Sequence, residues 1–416
     1  MDSLFRKYIV PNISSRKIQV KPKRRPISRN YIFHVFLALI SLLNILIAKQ
    51  RKITRAHYLI DIDNSSNYYD FRSKEFLKII PPKKTLNFMH INSTRFTLFT
   101  FFKKVNVVYF ESIYYTVKPF LKLKKFNSKK KHHGFSKELL DIYGALYSDS
   151  YYIHKISKFI LNFLHIKQFI FIDDSRYSNE LNIASKENGI ETIGYMHGRF
   201  NKYHLGIFEF PFDKYLVWSP YFIDLLLKNK SKYQIENLFI TGNPRVLKKK
   251  QMVSRNRKNL LLLGESNINI FDLNNYLEFI LSKGYKVFFR GKPGDIDKSL
   301  YENLIETNQN EDFFDCLHTN NISLVLGTHS TALMESWIVG VPSLALRCSY
   351  DYGRHLWEDG LIKECSDLKS LEKNLEITAN LPKRKVKEIL NLIWGGKEVF
   401  DHRKVKEILF DGPNLN

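Results

Sequence analysis

Short apolar runs alternate with longer amphipathic ones through most of the chain. Leu86 to Ile91, Val105 to Phe110, Phe169 to Ile172, Thr192 to Tyr195 and Lys214 to Trp218 are rich in β-branched or aromatic residues and read as strands. Leu139 to His165 reads as helix with a break, and Ser178 to Asn188 as a second helix. Pro244 to Lys258 is basic and poorly periodic, a boundary. A fresh alternation follows: strand Asn259 to Leu263, helix Asp272 to Lys283, strand Lys286 to Phe289, helix Leu300 to Asn308 and strand Ile322 to Leu326. A tight turn at Gly327-Thr328-His329-Ser330-Thr331 then leads into a short helix ended by Gly340, and a strand runs from Pro342 to Leu346. Strand–helix alternation of this kind indicates parallel sheets covered on both faces. The expected fold class is α/β, two doubly wound Rossmann-like domains facing a cleft. The expected divisions are a basic, apolar-helix segment over 1–56, a first Rossmann-like domain over 57–247, a second over 258–382 and a helical tail over 383–416.

One run departs from the alternation. Ile32 to Ala48 is apolar apart from His34, Ser41 and Asn44, which fall near one face when wound at about 100° per residue. It is at the short limit for a bilayer span, which needs about 20 residues. Cations flank both ends, at Lys21 to Arg25 and Lys49 to Lys52, so the positive-inside rule assigns no orientation. No small-residue cleavage site follows, which argues against a secretory signal. A core helix, a helix lying on a membrane and a span are the three readings; the expectation is a cytoplasmic protein held peripherally on the inner face of the cytoplasmic membrane.

Charge strengthens that expectation. The 416 residues carry a net charge of +24, and within the first 60 Asp2 is the sole acid against 13 Lys and Arg. Such an excess attracts an anionic surface. No zinc spacing, RNA-binding signature or basic stripe with interleaved aromatics occurs, so lipid is expected and nucleic acid is not. The lysine-rich run Lys122 to His133 reads as a surface loop. Cys316, Cys348 and Cys365 are odd in number and lack metal-ligand spacing, so they read as buried thiols in a reducing compartment, with no metal or cofactor expected.

Candidate chemistry clusters at strand ends, where ligands bind in open α/β sheets. Asp173 and Asp174 follow one predicted strand, and His197-Gly198-Arg199 follows the next. Asn243 and Arg245 close the first domain; Arg290 and Lys292 follow a strand of the second. Gly327, Ser330 and Thr331 open the short helix, whose free backbone N–H groups and hydroxyls would suit a phosphate. Glu335, one turn beyond Thr331, would accept bonds from sugar hydroxyls. Each has a plainer explanation: paired aspartates cap helices, a lone histidine is usually structural, Asn-Pro-Arg makes a turn, and cations decorate surfaces. Their shared position at strand ends shifts the balance.

From about Phe169 to Leu375 the chain resembles the GT-B glycosyltransferases, particularly bacterial enzymes of capsule and surface-polysaccharide synthesis. The resemblance is carried by His197-Gly198, Tyr215 to Ser219, Thr241 to Arg245, Arg290-Gly291-Lys292-Pro293, Ser330-Thr331 with Glu335, the Gly340-Val341-Pro342 strand entry and Leu356 to Leu361. The family's frequent Arg-x-His-Pro has Lys292 in place of histidine here. The resemblance implies a nucleotide-sugar donor on the second domain and a glycan or lipid-linked acceptor on the first. Transfer would then be metal-independent. Ser330, Thr331, Arg290 and Lys292 would stabilise the departing phosphate, Glu335 would hold the ribose, and His197 (or Asp173 or Asp174) would be the base. Gly198, Arg199, Asn243 and Arg245 would line the acceptor side. CMP-sugar transferases of the sialyl and Kdo type and CDP-glycerol glycerophosphotransferases present similar elements. A non-catalytic, basic membrane- or nucleic-acid-binding protein with the same shell is the alternative from another class.

Overall fold

The computed structural model describes residues 31–59, 71–80, 85–89, 106–121, 137–173, 177–201, 205–253, 258–265, 268–291, 304–308, 311–348, 357, 360–379 and 381–410. Asp174, Lys292, the basic segment before residue 31 and the run Lys122 to His133 lie outside them. The chain divides into two compact units. Unit 1 holds residues up to 218, 222–245 and 401 onward; unit 2 holds 219–221 and 246–400. The segment 383–416, read from sequence as one tail, is therefore shared between the units.

Unit 1 runs α1 (Tyr31–Gln50), β1 (Arg55–Leu59), α2 (Phe71–Ile79), β2 (Leu86–Met89), β3 (Val107–Val108), α3 (Phe110–Val117), α4 (Lys137–Leu164), β4 (Gln168–Ile172), α5 (Ser178–Glu187), β5 (Glu191–Tyr195), α6 (Leu205–Glu209), β6 (Lys214–Val217), α7 (Pro220–Lys228) and β7 (Leu238–Ile240). Its seven strands form one sheet in the order β3-β2-β1-β4-β5-β6-β7, and every pairing is parallel. β2 and β4 are buried at every position, as strands covered on both faces must be. Aromatic rings fill that interior: Phe169 stacks on Phe171 with centroids 4.2 Å apart, and Phe76 on Tyr195 at 3.9 Å.

Unit 2 runs β8 (Asn259–Leu263), α8 (Ile270–Ser282), β9 (Lys286–Arg290), β10 (Ile305–Glu306), α9 (Phe313–Thr319), β11 (Leu324–Gly327), α10 (Ala332–Glu335) with a 3-10 turn (Ser336–Val339), β12 (Ser343–Leu346), β13 (Lys363–Cys365), α11 (Leu368–Ala379) and α12 (Lys383–Trp394). Its sheet order is β10-β9-β8-β11-β12-β13, again parallel throughout. Leu260 and Leu262 pack under Leu273, Leu277 and Ile280 of α8 and Leu371 and Leu375 of α11. The chain then returns to unit 1 as α13 (His402–Phe410). There Gln168 Nε2 donates to Leu409 O (3.2 Å), and the Arg55 guanidinium lies 4.4 Å from the centre of the Phe410 ring.

Three elements differ from the sequence reading. The region expected to be broken, Leu139 to His165, is one continuous helix, α4. It has no proline, and Gly144 costs only about 1 kcal/mol relative to alanine. Expected helix Leu300 to Asn308 instead contains β10, whose Ile305 and Glu306 pair with Phe288 and Phe289; Thr307 continues the bonding, donating from N and Oγ1 to Phe289 O. Backbone pairing at the sheet edge outweighs a weak helical pattern there. Expected strand Val105 to Phe110 shrinks to Val107–Val108, because Tyr109 N donates to Ser41 Oγ of α1 and not to a strand, and Phe110 opens α3.

α1 docks on unit 1 through its polar stripe. His34 Nδ1 meets Ser112 Oγ at 3.2 Å, Ser41 takes the Tyr109 N–H at 2.9 Å, and Asn44 Nδ2 donates to Val107 O at 2.9 Å. Leu37 completes the contact against Met89, Val107 and Tyr109.

His57, in the middle of β1, is fully buried with Nε2 3.2 Å from the Tyr195 hydroxyl. Burial pushes its imidazole down to about 3, so it is neutral in the folded protein. A histidine in the unfolded chain titrates near about 6.5. The folded value is the lower one, so its contribution to stability is complete above about pH 6.5 and is lost as pH falls toward 3. Between pH 7 and pH 5 this histidine alone should cost on the order of 2 kcal/mol. Urea unfolding at both pH values should show a smaller pH-dependent loss for His57→Gln than for the parent; equal losses would remove His57 as the cause.

Candidate active site

The exit of β4 is where the first cluster forms. Register pairs Ile172 with Tyr195, so the residues following β4 and β5 lie side by side. Asp173 N donates to Tyr195 O at 2.9 Å. Its buried carboxylate accepts the His197 backbone N–H at 2.8 Å and His197 Nδ1 at 2.7 Å, and the Tyr215 hydroxyl donates to its other oxygen. The carboxylate oxygen accepts in this contact, so Nδ1 carries the proton. The His197 side chain is 28% exposed against 1% for Asp173, leaving the ring edge accessible. α5 begins after Tyr177, which is left-handed at φ 65° and supplies no side-chain cap; Asp173 has no capping role there. Its carboxylate is wholly engaged in holding the ring and Tyr215. Gly198 and Arg199 follow, half-buried.

Asn243 and Arg245 form the turn expected of them on the plainer reading. Gly242 is left-handed at φ 78°, and buried Asn243 accepts the Arg245 N–H at 3.0 Å. Arg290, the last residue of β9, directs Nη1 to Asn308 O (3.1 Å) and Nη2 to Glu311 O (2.5 Å). Its guanidinium ties down the segment after β10, a use that the sequence pattern of cations and glycines did not reveal.

The second cluster sits at the exits of neighbouring strands β8 and β11, and it corrects the sequence reading of the turn. The backbone N–H groups expected to be free for a phosphate are already occupied by Glu265. Thr328 N and Ser330 N donate to its Oε1 at 3.0 Å each, and His329 N to Oε2 at 2.8 Å. His329 Nδ1 is 2.9 Å from Oε2, and the Thr328 hydroxyl bonds to the same oxygen. Burial alone would raise this carboxyl; the His329 charge and the hydrogen bonds from His329 and Thr328 override it and bring it down to about 2. Trp357 Nε1 donates to Thr328 O at 2.8 Å, fixing the turn from its other side. Gly327 is what lets the carboxylate approach: a Cβ there would lie 2.8 Å from Glu265 Oε1.

What remains on the turn is side-chain chemistry. Ser330 and Thr331 are half-exposed, and the Ser330 hydroxyl accepts the Ala332 N–H at 3.3 Å. Glu335 ends α10, which follows them, but is only 2% exposed, so it has less access to a sugar than its spacing from Thr331 implied. Glu265, His329 and Trp357 had no assigned role in the sequence reading. Their one signal was an acid at a strand exit and a histidine at the exit of a later strand. Burial pushes the Cys348 thiol up to about 12 and Cys365 up to about 11, so neither is a nucleophilic thiolate near neutrality. Among the described residues, no three His, Cys, Asp or Glu side chains group as metal ligands.

No protein-family model matches this chain, and no curated protein sequence does either. Solved structures do. It superposes on MurG of Acinetobacter baumannii with TM-score 0.50 and 9% identity, covering 86% of this chain and 100% of that one. On CalG4, the calicheamicin glycosyltransferase, the TM-score is 0.51 with 10% identity, covering 86% and 97%. The chain has a GT-B glycosyltransferase-like fold. At this identity the likeness establishes the GT-B fold alone, so any activity has to be argued from the two clusters.

Glu265 titrates below the ordinary carboxylate value of 4.5, so its contribution to stability is present above about that pH and is lost as pH falls toward 2. Glu265→Gln should destabilise unit 2 at pH 7 by about 3 kcal/mol, the usual cost of removing one partner from a buried ion pair. The gap to the parent should narrow as pH approaches 2. Gly327→Ala should destabilise at pH 7 in the same direction. Urea unfolding curves across that pH range check both; a full-strength Glu265→Gln variant at pH 7 would contradict the described bonding.

Proposed function

We propose that this protein is a glycosyltransferase that moves a sugar from a nucleotide-sugar donor to a surface-polysaccharide or lipid-linked glycan acceptor. The observation that carries the reading is the Asp173–His197 pair, a half-exposed imidazole whose tautomer is set by a buried carboxylate. A base for an acceptor hydroxyl needs an imidazole that reaches solvent and is held in a fixed orientation, and the buried carboxylate supplies that orientation. Asp173 is then a positioning residue and His197 the base. As the acceptor oxygen attacks the anomeric carbon, His197 Nε2 takes its proton, and the bond to the nucleotide phosphate breaks with its electron pair.

The leaving phosphate gains charge at that step. With the turn's N–H groups taken by Glu265, stabilisation in unit 2 falls to side chains: the outer nitrogen of His329, the hydroxyls of Ser330 and Thr331, and Lys292 as a point charge. These groups supply donors and positive charge without requiring a metal ion. The fold shared with CalG4, itself a glycosyltransferase, supports the same reading.

Two measurements test it. Thermal-shift screening against UDP, CMP, GDP and CDP should give one preferred nucleotide, since a ligand that binds the folded state alone raises the melting temperature. Preference for CMP would point to a CMP-sugar, and for CDP to glycerol phosphate transfer. Turnover should then fall by about 100-fold or more in both His197→Ala and Asp173→Asn, with nucleotide binding retained. Asp173→Asn should also change the pH profile, because the amide no longer fixes the tautomer. Nucleotide binding with unchanged turnover in both variants would place the base elsewhere; binding to anionic polymers that survives both changes, with no nucleotide response, would favour a non-catalytic protein.

A further inference from the structure

α1 buries Leu37, Ala38, Ile45 and Ala48 yet is apolar on its outer side too, unlike the usual surface helix. Its polar side chains His34, Ser41 and Asn44 face unit 1, where they bond to Ser112, Tyr109 and Val107. Ile32, Phe36, Leu39, Leu43 and Leu46 recur at spacings of four and three on the opposite side. Ile32 is 76% exposed and Leu39 60%, and the other three are exposed about equally with Leu43 at 52%. Among the described residues, nothing covers this stripe.

α4 widens it. Phe159 and Phe163 stack with centroids 6.4 Å apart and are both exposed, Phe159 at 72%. Lys49 joins the two helices, with Nζ donating to Phe163 O at 2.5 Å and lying 4.6 Å from the Phe163 ring centre. Lys49, Arg51 and Lys52 follow the stripe at its carboxyl end, nine Lys and Arg precede α1 in sequence, and no Asp or Glu occurs between residues 31 and 59.

We propose that this face of unit 1 docks on an anionic phospholipid surface, with α1 lying in the plane of the interface. The stripe and the two phenylalanines would enter the acyl boundary, and the cations would meet headgroup phosphates. A spanning helix would carry His34, Ser41 and Asn44 into hydrocarbon away from the partners they have here, which costs free energy. A second copy of the chain fits the face less well, because a two-fold seam sets the same lysines and arginines against each other. The inference stands on α1 and α4 alone and does not depend on the transferase reading.

Sedimentation of the full chain with vesicles tests it. Binding to phosphatidylcholine mixed with phosphatidylglycerol should exceed binding to phosphatidylcholine alone by about tenfold or more. Leu39→Ser/Leu43→Ser and, on the other helix, Phe159→Ser/Phe163→Ser should each weaken binding to the anionic vesicles by about tenfold with melting curves unchanged, since all four positions are exposed. Arg51→Glu/Lys52→Glu should remove most of the preference for anionic lipid, and a carbonate wash should release the protein. Undiminished binding in both apolar variants would overturn the proposal. So would resistance to carbonate, which indicates a span, or halving of the solution mass by Leu39→Ser/Leu43→Ser, which indicates a seam between copies.

Discussion

A carboxylate buried away from water needs donors that converge on it, and among the described residues each unit of this protein has such a group at the end of a central strand. Asp173 gathers a backbone N–H, an imidazole and a phenol. Glu265 gathers three backbone N–H groups, a hydroxyl and an imidazole. In both cases the imidazole belongs to a histidine two residues past the adjacent parallel strand, and in both its Nδ1 faces the carboxylate. The two are alike in chemistry but not in topological position. Glu265 lies at the switch point between β8 and β11, whereas Asp173 lies one strand beyond the corresponding point, between β4 and β5.

The consequence differs between the units because the number of donors differs. Asp173 takes one backbone N–H, so the loop after β5 keeps its path and the carboxylate acts mainly on the His197 ring. Glu265 takes three consecutive N–H groups and fills the concavity that an external anion would otherwise occupy. A donor phosphate bound there would have to be met by side chains at the rim, where His329, Ser330 and Thr331 stand. The internal anion rigidifies the turn before any ligand arrives, and it orients the His329 imidazole.

How much of this was legible follows from where each residue's partners lie. β8 matched its expected bounds because Asn259-Leu260-Leu261-Leu262-Leu263 is buried at all five positions, and burial on both faces writes a continuous apolar run. β1 gave no such run: Arg55 and His57 interrupt it, and their partners, Gln168 and Tyr195, are 113 and 138 residues away. The same distance hid Glu265, whose carboxylate meets donors 63 to 65 residues on. His197 could be singled out because a histidine at a strand exit is informative by itself. Arg290 shows the limit of that rule, since it holds a similar position and its guanidinium goes to backbone carbonyls.

Charge is distributed by a different logic from the two clusters. Within each cluster a carboxylate is set against an imidazole at hydrogen-bond distance. The first 60 residues, by contrast, hold 13 cations against one acid, half of the chain's net +24 in about a seventh of its length. At physiological ionic strength a field reaches only about 8 Å, so Lys49, Arg51 and Lys52 at the carboxyl end of α1 act locally on whatever meets that helix. That helix turns its hydrogen-bonding groups and Leu37 inward and Leu39, Leu42, Leu43 and Leu46 outward. A fold that sought only to hide α1 would reverse both choices. Apolar stripe, aromatic neighbours and cations at one edge are together matched by a surface that is apolar beneath and anionic above, and of the occupants considered only a lipid interface offers both.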